Sequence, residues 1–283
     1  MARRDNEERI GAKDSHDSSA SVMGANPLSF TTPTDFVELP SRGEFYDESH
    51  PLHKKETVEI KFMTAKEEEI LTSQALLKNG TAIDRLIDSV LIDKKIKVKN
   101  LLVGDKNAIL IQSRITGYGS EYITKVQCPS CSETTEHEFD LEECKNIKNS
   151  NPSEDSEVER TEDNTFKTVL PLTKIAVEFR LLTGADENRL LNISEKARKI
   201  KVQSSHLSNQ MATIITSLNG YTEKNIIKEF ARTMPAKDSR FLRKTYDSVN
   251  PTVDLNHEFE CLGCGYEGSM EVPFTTDFFW SKP

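Results

Sequence analysis

The stretch KVQCPSCSETTEHEFDL, residues 125–141, carries two cysteines in a Cys-x-x-Cys spacing, and FECLGCGYEGSMEVPF, residues 259–274, carries a second such pair. The chain has 283 residues and only five cysteines, so four of the five are committed to these two motifs. Apolar and polar residues alternate on either side of both. Tyr122, Thr124 and Val126 lead into Cys128, as Val253, Leu255, His257 and Phe259 lead into Cys261. Beyond the pairs, Phe139 and Leu141 match Val272 and Phe274 in register. A period of two is the mark of a strand. Each motif is therefore expected at the tip of a β-hairpin.

Two thiolates on one tight turn can face a single ion, but they make only half of a tetrahedral site. Pro129 and Gly263 suit such turns. Cys128, Cys131, Cys261 and Cys264 together complete a four-thiolate site of the zinc-ribbon type, with each sulfur about 2.3 Å from the metal. Rival readings fit less well. A redox pair needs its motif at a helix N-terminus, where the thiol pKa falls; here strands flank both pairs and Gly265 follows Cys264. A disulfide within a Cys-x-x-Cys turn is strained, and a vestigial hairpin without metal gives no reason for the ligand count. The expected cofactor is a structural Zn2+. Four thiolates leave no open position for water, so no catalytic metal is expected. His137 and His257 could substitute as ligands, but they read as ordinary strand residues. Cys144 reads as a free thiol near a linker.

Outward from the cysteines the chain repeats itself. VEIKFMTAKEEEIL begins at Val58 and VEFRLLTGADENRLL at Val177. Asp105 precedes Cys128 by the same 23 residues that separate Asp238 from Cys261. VELPS, residues 37–41, has a weaker echo in TVLPL, residues 168–172. Self-similarity on this scale suggests an internal duplication. The expected fold class is α+β: two related helical units, each ending in a β-hairpin with a Cys-x-x-Cys knuckle, joined through the four-cysteine site. The corresponding division is a mobile arm over residues 1–34, a first repeat over 35–144, a polar linker over 145–166 and a second repeat over 167–283 with an aromatic tail.

Local patterns fill in the units. Val58, Ile60 and Phe62 alternate as a strand. Thr64 and Glu67 then form a capping-box pattern, with Thr183 and Asp186 as a weaker version. The helix that follows is expected to end near Asn79-Gly80. Ile83, Leu86, Ile87, Val90 and Leu91 form a helical stripe, and Met211, Ile214, Ile215 and Leu218 are expected to do the same. A further helix over EKNIIKEFART would turn Ile226, Ile227 and Phe230 inward. The residues after Asp105 and Asp238 are helical candidates, although the apolar run from Ala108 to Ile111 also suits a strand. Gly117 and Gly119 suit a turn into the first hairpin.

Composition narrows the function. A net charge of −9 argues against broad binding to nucleic acid, which draws on an excess of Lys and Arg. Lys94, Lys95, Lys97 and Lys99 form a basic cluster, as do Lys196, Arg198, Lys199 and Lys201; both read best as solvated helix ends. No apolar run approaches the ~20 residues that span a bilayer, and no apolar region follows Arg3 and Arg4, so neither a membrane partner nor a secretory leader is expected. No phosphate-binding loop, metalloprotease motif or nucleophile elbow is present. Phe278, Phe279 and Trp280, the only tryptophan, close the chain. Two readings stay open for them: they fold back on the core, or they anchor a partner.

These features together resemble a known family. FVELPSRGEFYDESHPL, VEIKFMTAKEEEILTS and AILIQSRITGYGSEYITKVQCPSC followed by HEFDL resemble the baseplate hub subunit and hub assembly factor family of T-even-type contractile-tailed bacteriophages. Leu39, Pro40 and Ser41, with Gly43, Tyr46 and the strand into MTAKEEEIL, carry most of the likeness, which covers roughly residues 36–142. In the second copy LPL replaces LPS and the GYG turn is absent. The resemblance implies no catalysis and no small-molecule substrate. It implies a protein of the bacterial host cytoplasm during assembly or of the virion tail baseplate, with other tail proteins as partners. Leu39, Pro40 and Ser41 join the aromatic tail as candidate contact residues. The alternative is a zinc-ribbon protein that binds nucleic acid.

Overall fold

A computed structural model describes residues 32–145, 147–148, 158–199, 205–273 and 276–279. The expected N-terminal arm, Lys201, Phe274 and Trp280 lie outside the described residues, apart from the last few positions of the arm. The fold is α+β, built from helices and small antiparallel sheets over one continuous apolar core.

Strands β1 (Thr34–Glu38) and β2 (Thr57–Lys61) pair antiparallel with Val37 opposite Val58. The chain then enters α1 (Ala65–Thr72) through the expected capping box: Thr64 and Glu67 satisfy each other's free amides. Ser73 adopts an extended conformation and breaks the predicted single helix into α1 and α2 (Gln74–Lys78), which ends at Asn79 and Gly80 with Gly80 at φ +65°. Helix α3 (Ala82–Val90) buries Leu86, Ile87 and Val90 on one face, as its stripe requires. Helix α4 (Val103–Tyr118) includes the run Ala108–Ile111, so that run is helical and not a strand. Gly119, at φ +84°, ends it and turns the chain into the hairpin β3 (Glu121–Gln127) and β4 (Thr134–Asp140).

The segment expected to be a bare linker contributes structure at both ends. β5 (Ile147–Lys148) pairs with a later strand, β10 (Thr252–Val253), and β6 (Glu159–Arg160) pairs with β7 (Phe166–Val169). Arg160 also reaches Glu44 and lies 4.3 Å over the ring of Phe45.

From β7 onward the earlier order returns. β7 pairs with β8 (Ala176–Phe179), with Thr168 opposite Val177. Thr183 and Asp186 cap α5 (Gly184–Lys199), and Arg180 grips Asp186 as Lys61 grips Glu67. Helix α6 (His206–Ile214) stops where the sequence pattern predicts continuation: Ile215 and Leu218 belong to strand β9 (Ile215–Leu218). The β-branched pair Ile215-Thr216 suits a pleated sheet, and β8 offers a free edge that β9 covers, giving the sheet order β6-β7-β8-β9. At the matching place after α3, Leu91 makes only a single bridge to Ile60. Helix α7 (Lys224–Thr233) buries Ile227 and half-buries Phe230 but leaves Ile226 47% exposed, which corrects the inward assignment of Ile226. Helix α8 (Ala236–Val249) precedes the second hairpin, β11 (Asn256–Glu260) and β12 (Glu267–Glu271).

The two halves meet along a reciprocal seam. Val103 donates to the carbonyl of Leu182 and Gly184 to that of Leu101, at 3.1 and 2.8 Å. Gly104 and Gly184 must be glycine here. A Cβ on Gly104 would lie 1.9 Å from the carbonyl oxygen of Pro251, and one on Gly184 would lie 2.6 Å from that of Val98. Lys106, nearly buried, bridges Asp84 and Glu187 across the same seam.

Candidate metal centre

The two hairpins carry the four predicted cysteines to one place. In each, the ladder closes just before the first cysteine: Gln127 faces Thr134, and Glu260 faces Glu267. The turns then run alike. The Cys128 amide donates to the Glu133 carbonyl and the Ser132 amide to the Cys128 carbonyl, at 2.8 and 2.9 Å. The Cys261 amide donates to the Tyr266 carbonyl and the Gly265 amide to the Cys261 carbonyl, both at 2.8 Å. Ser132 and Gly265 sit at φ +62° and +67°, so the residue after each second cysteine takes the left-handed bend. Pro129 and Gly263, favoured on sequence, are not the residues that need it.

All four sulfurs lie within 4.8 Å of one another, with Cys128 Sγ 3.8 Å from Cys264 Sγ and Cys131 Sγ 3.8 Å from Cys261 Sγ. Ligands about 2.3 Å from a tetrahedral ion stand about 3.8 Å apart, so the spacing fits a four-thiolate site. Cys128 and Cys261 are buried and Cys131 and Cys264 exposed, which places such an ion at the rim. The thiols are not equivalent. Although burial opposes it, the amides of Cys131 and Ser130 aimed at Cys128 draw its thiol down to about 7. The Glu133 amide favours ionisation of Cys131, but local desolvation and the neighbouring sulfurs of Cys264, Cys128 and Cys261 push it up to about 12. Four sulfurs this close cannot all ionise without a cation between them, and a divalent ion supplies that charge.

Beneath the knuckles the hairpins interlock through histidine and phenylalanine. His137 packs on Phe259 and His257 on Phe139, with ring centroids 5.3 and 5.5 Å apart. Neither histidine belongs to the cysteine cluster. Burial and the nearby His257 hold His137 below its ordinary pKa. His257 instead takes Cys144 as neighbour, with Nε2 3.3 Å from Sγ. Cys144 is fully buried, and burial with the surrounding carboxylates of Asp254, Glu143 and Asp140 pushes its thiol up to about 12. It is a core residue, held unreactive by its surroundings.

The other predicted residues face inward. Leu39, Pro40 and Ser41 are buried, and the Ser41 amide and hydroxyl both donate to the Asp105 carboxylate. Phe278 and Phe279 are 2% and 3% exposed, packed on Tyr122 and Tyr118, so of the two open readings these two side chains follow the first. Arg114, which no sequence pattern marks, holds that end in place. Its buried guanidinium donates to the carbonyls of Phe278, Gly119 and Glu121. Of the lysine cluster, Lys94 donates to the final carbonyls of α3 and Lys97 to the carbonyl of Lys94, as helix-end residues do. Among the described residues no helix is long and apolar enough to cross a membrane.

A family model described as T4 bacteriophage base plate protein matches residues 36–280 of the chain. No curated protein and no solved structure matches it.

Proposed function

Because the chain belongs to the T4 bacteriophage base plate protein family, we propose that it serves in the hub region of the tail baseplate as a non-enzymatic structural or assembly protein, stabilised by one Zn2+. Membership makes it a baseplate protein and implies contacts with other baseplate proteins. The cysteine cluster is the observation that carries the rest of the reading. Its 3.8 Å sulfur pairs bring two distant hairpins to one point, and a four-thiolate ion has no free coordination position for substrate or water. That supports a clamp and not a reaction centre.

An internal duplication is part of the proposal. In both halves an antiparallel pair with matched register leads into a capped helix, then into a helix whose buried aspartate holds the loop after the Leu-Pro motif, and then into a knuckle hairpin. Zinc would join the two copies across residues 145–166. Contacts with partners would come from exposed apolar residues such as Leu262, which stands 91% exposed on the tip of the second knuckle. Assembly would take place in the bacterial host cytoplasm.

A tagged copy expressed during infection tests the reading. Other tail proteins should purify with it, and phage lacking it should fail to build complete baseplates. Purification alone, together with normal tails in its absence, would contradict a hub role.

A further inference from the structure

The end of β2, the start of α1 and the face and end of α3 enclose a surface pocket of about 490 Å3 whose charge opposes that of the whole chain. Lys61, Lys66, Arg85 and Lys94 line it against one carboxylate, Asp88, in a protein of net charge −9. Ile92, 42% exposed, supplies an apolar wall. We propose that this pocket docks an acidic segment of a partner protein, with clustered carboxylates beside an aliphatic side chain.

The fold accounts for Lys61 and Lys94 but not for Lys66 and Arg85: Lys94 donates to the carbonyls of Asp88, Ser89 and Leu91 at the end of α3. Lys61 is used structurally, since it pairs with Glu67 at 2.8 Å. Arg180 and Asp186 repeat that pair in the second half. Lys66 and Arg85 are not repeated. The strand registers place Ala185 where Lys66 stands, and the bridges Ile60–Leu91 and Phe179–Ile215 place Asn209 where Arg85 stands. A strand, a capped helix and a second helix therefore form in the second half without counterparts of Lys66 and Arg85. Among the described residues Lys66 and Arg85 make no ion pair and are exposed. Burial is the main reason Lys94 holds its proton less firmly; repulsion from Lys61 and Lys66 adds to it, and Asp88 and Glu67 offset part of it. A carboxylate cluster relieves that repulsion. The apolar wall favours a protein segment over nucleic acid, whose backbone the acidic chain as a whole repels.

The test uses the full-length protein and a short fluorescein-labelled peptide in which aspartates and glutamates flank a leucine pair, read by anisotropy. Saturable, salt-sensitive binding is expected. It should weaken about tenfold in Lys66→Glu/Arg85→Glu and vanish when the peptide's carboxylates become amides. The pair Lys66→Ala/Arg85→Asn, which copies the second half, should weaken binding in the same direction with an unchanged melting temperature. Absence of saturable binding, or binding by both double variants as tight as that of the wild type, would overturn the proposal. So would displacement of the peptide by inorganic phosphate or a DNA oligonucleotide at lower concentration than by unlabelled peptide.

Discussion

Ser41 gives both of its donors to one carboxylate: its amide lies 2.9 Å from Asp105 Oδ1 and its hydroxyl 2.6 Å from Asp105 Oδ2. Tyr46 adds a third donor at 2.6 Å, all inside the core. In the second half the amides of Leu172 and Thr173 play the same part for Asp238, at 2.8 and 3.0 Å. The Leu-Pro motif is thus a loop that its own helix holds from within. Asp105→Ala leaves three buried donors without an acceptor and should destabilise by about 3–5 kcal/mol. Asp238→Ala orphans fewer groups and should cost about 2 kcal/mol. Urea denaturation of both variants gives the comparison, and a larger loss for Asp238→Ala would contradict this role.

Glu67 gives acid stability a defined source. Burial alone would raise its pKa, but hydrogen bonds from Lys61, Ser89 and Thr64 hold it near 2 against an ordinary 4.5. The folded form thus binds its proton less readily than the unfolded chain. Its contribution is complete above about pH 5 and is lost as pH falls toward 2. Glu67→Gln should destabilise by about 1–3 kcal/mol at neutral pH, and the gap to the wild type should close as pH falls through that range. A gap that stays constant with pH would rule out the ionised carboxylate as the cause.

Arg114 is the predicted lock on the C-terminal turn. Replacing it by alanine removes the donor shared by the carbonyls of Phe278, Gly119 and Glu121 and should cost about 3 kcal/mol. Amide exchange at residues 276–279 should accelerate more than at α3. Uniform acceleration across the chain would mean that Arg114 supports the fold as a whole and not this contact.

Much of this architecture is legible in the amino-acid sequence. The alternation around each cysteine pair predicts the hairpins, and the stripe from Ile83 to Leu91 predicts α3, because those signals are local. The places where the pattern misleads are ones that distant neighbours decide. Ile215 and Leu218 fit a helical stripe, yet the free edge of β8 takes them into a sheet. Asp105 and Asp238 stand out by spacing alone. Their role depends on loops more than sixty residues upstream in sequence, which no period encodes. The Arg114–Phe278 and His257–Cys144 contacts close over still longer separations, so composition and periodicity carry no trace of them.

The thiols should sort into two classes. With the metal removed by a chelator, the exposed Cys131 and Cys264 should react first with a disulfide reagent, and Cys128 and Cys261 should follow as the knuckles loosen. Cys144, buried and with its thiol pushed up to about 12, should react only on unfolding. Fast reaction of all five in the folded, chelated protein would contradict the burial of Cys144.

The metal content of the purified, fully reduced protein bears most directly on the shared clamp. Four thiolates arranged around one point should hold one zinc per chain. Cys128→Ser and Cys261→Ser should each lower that occupancy and loosen both hairpins alike, since metal binding is folding free energy. Two zinc ions per chain, or none with all four thiols free, would contradict a single ion joining the two halves.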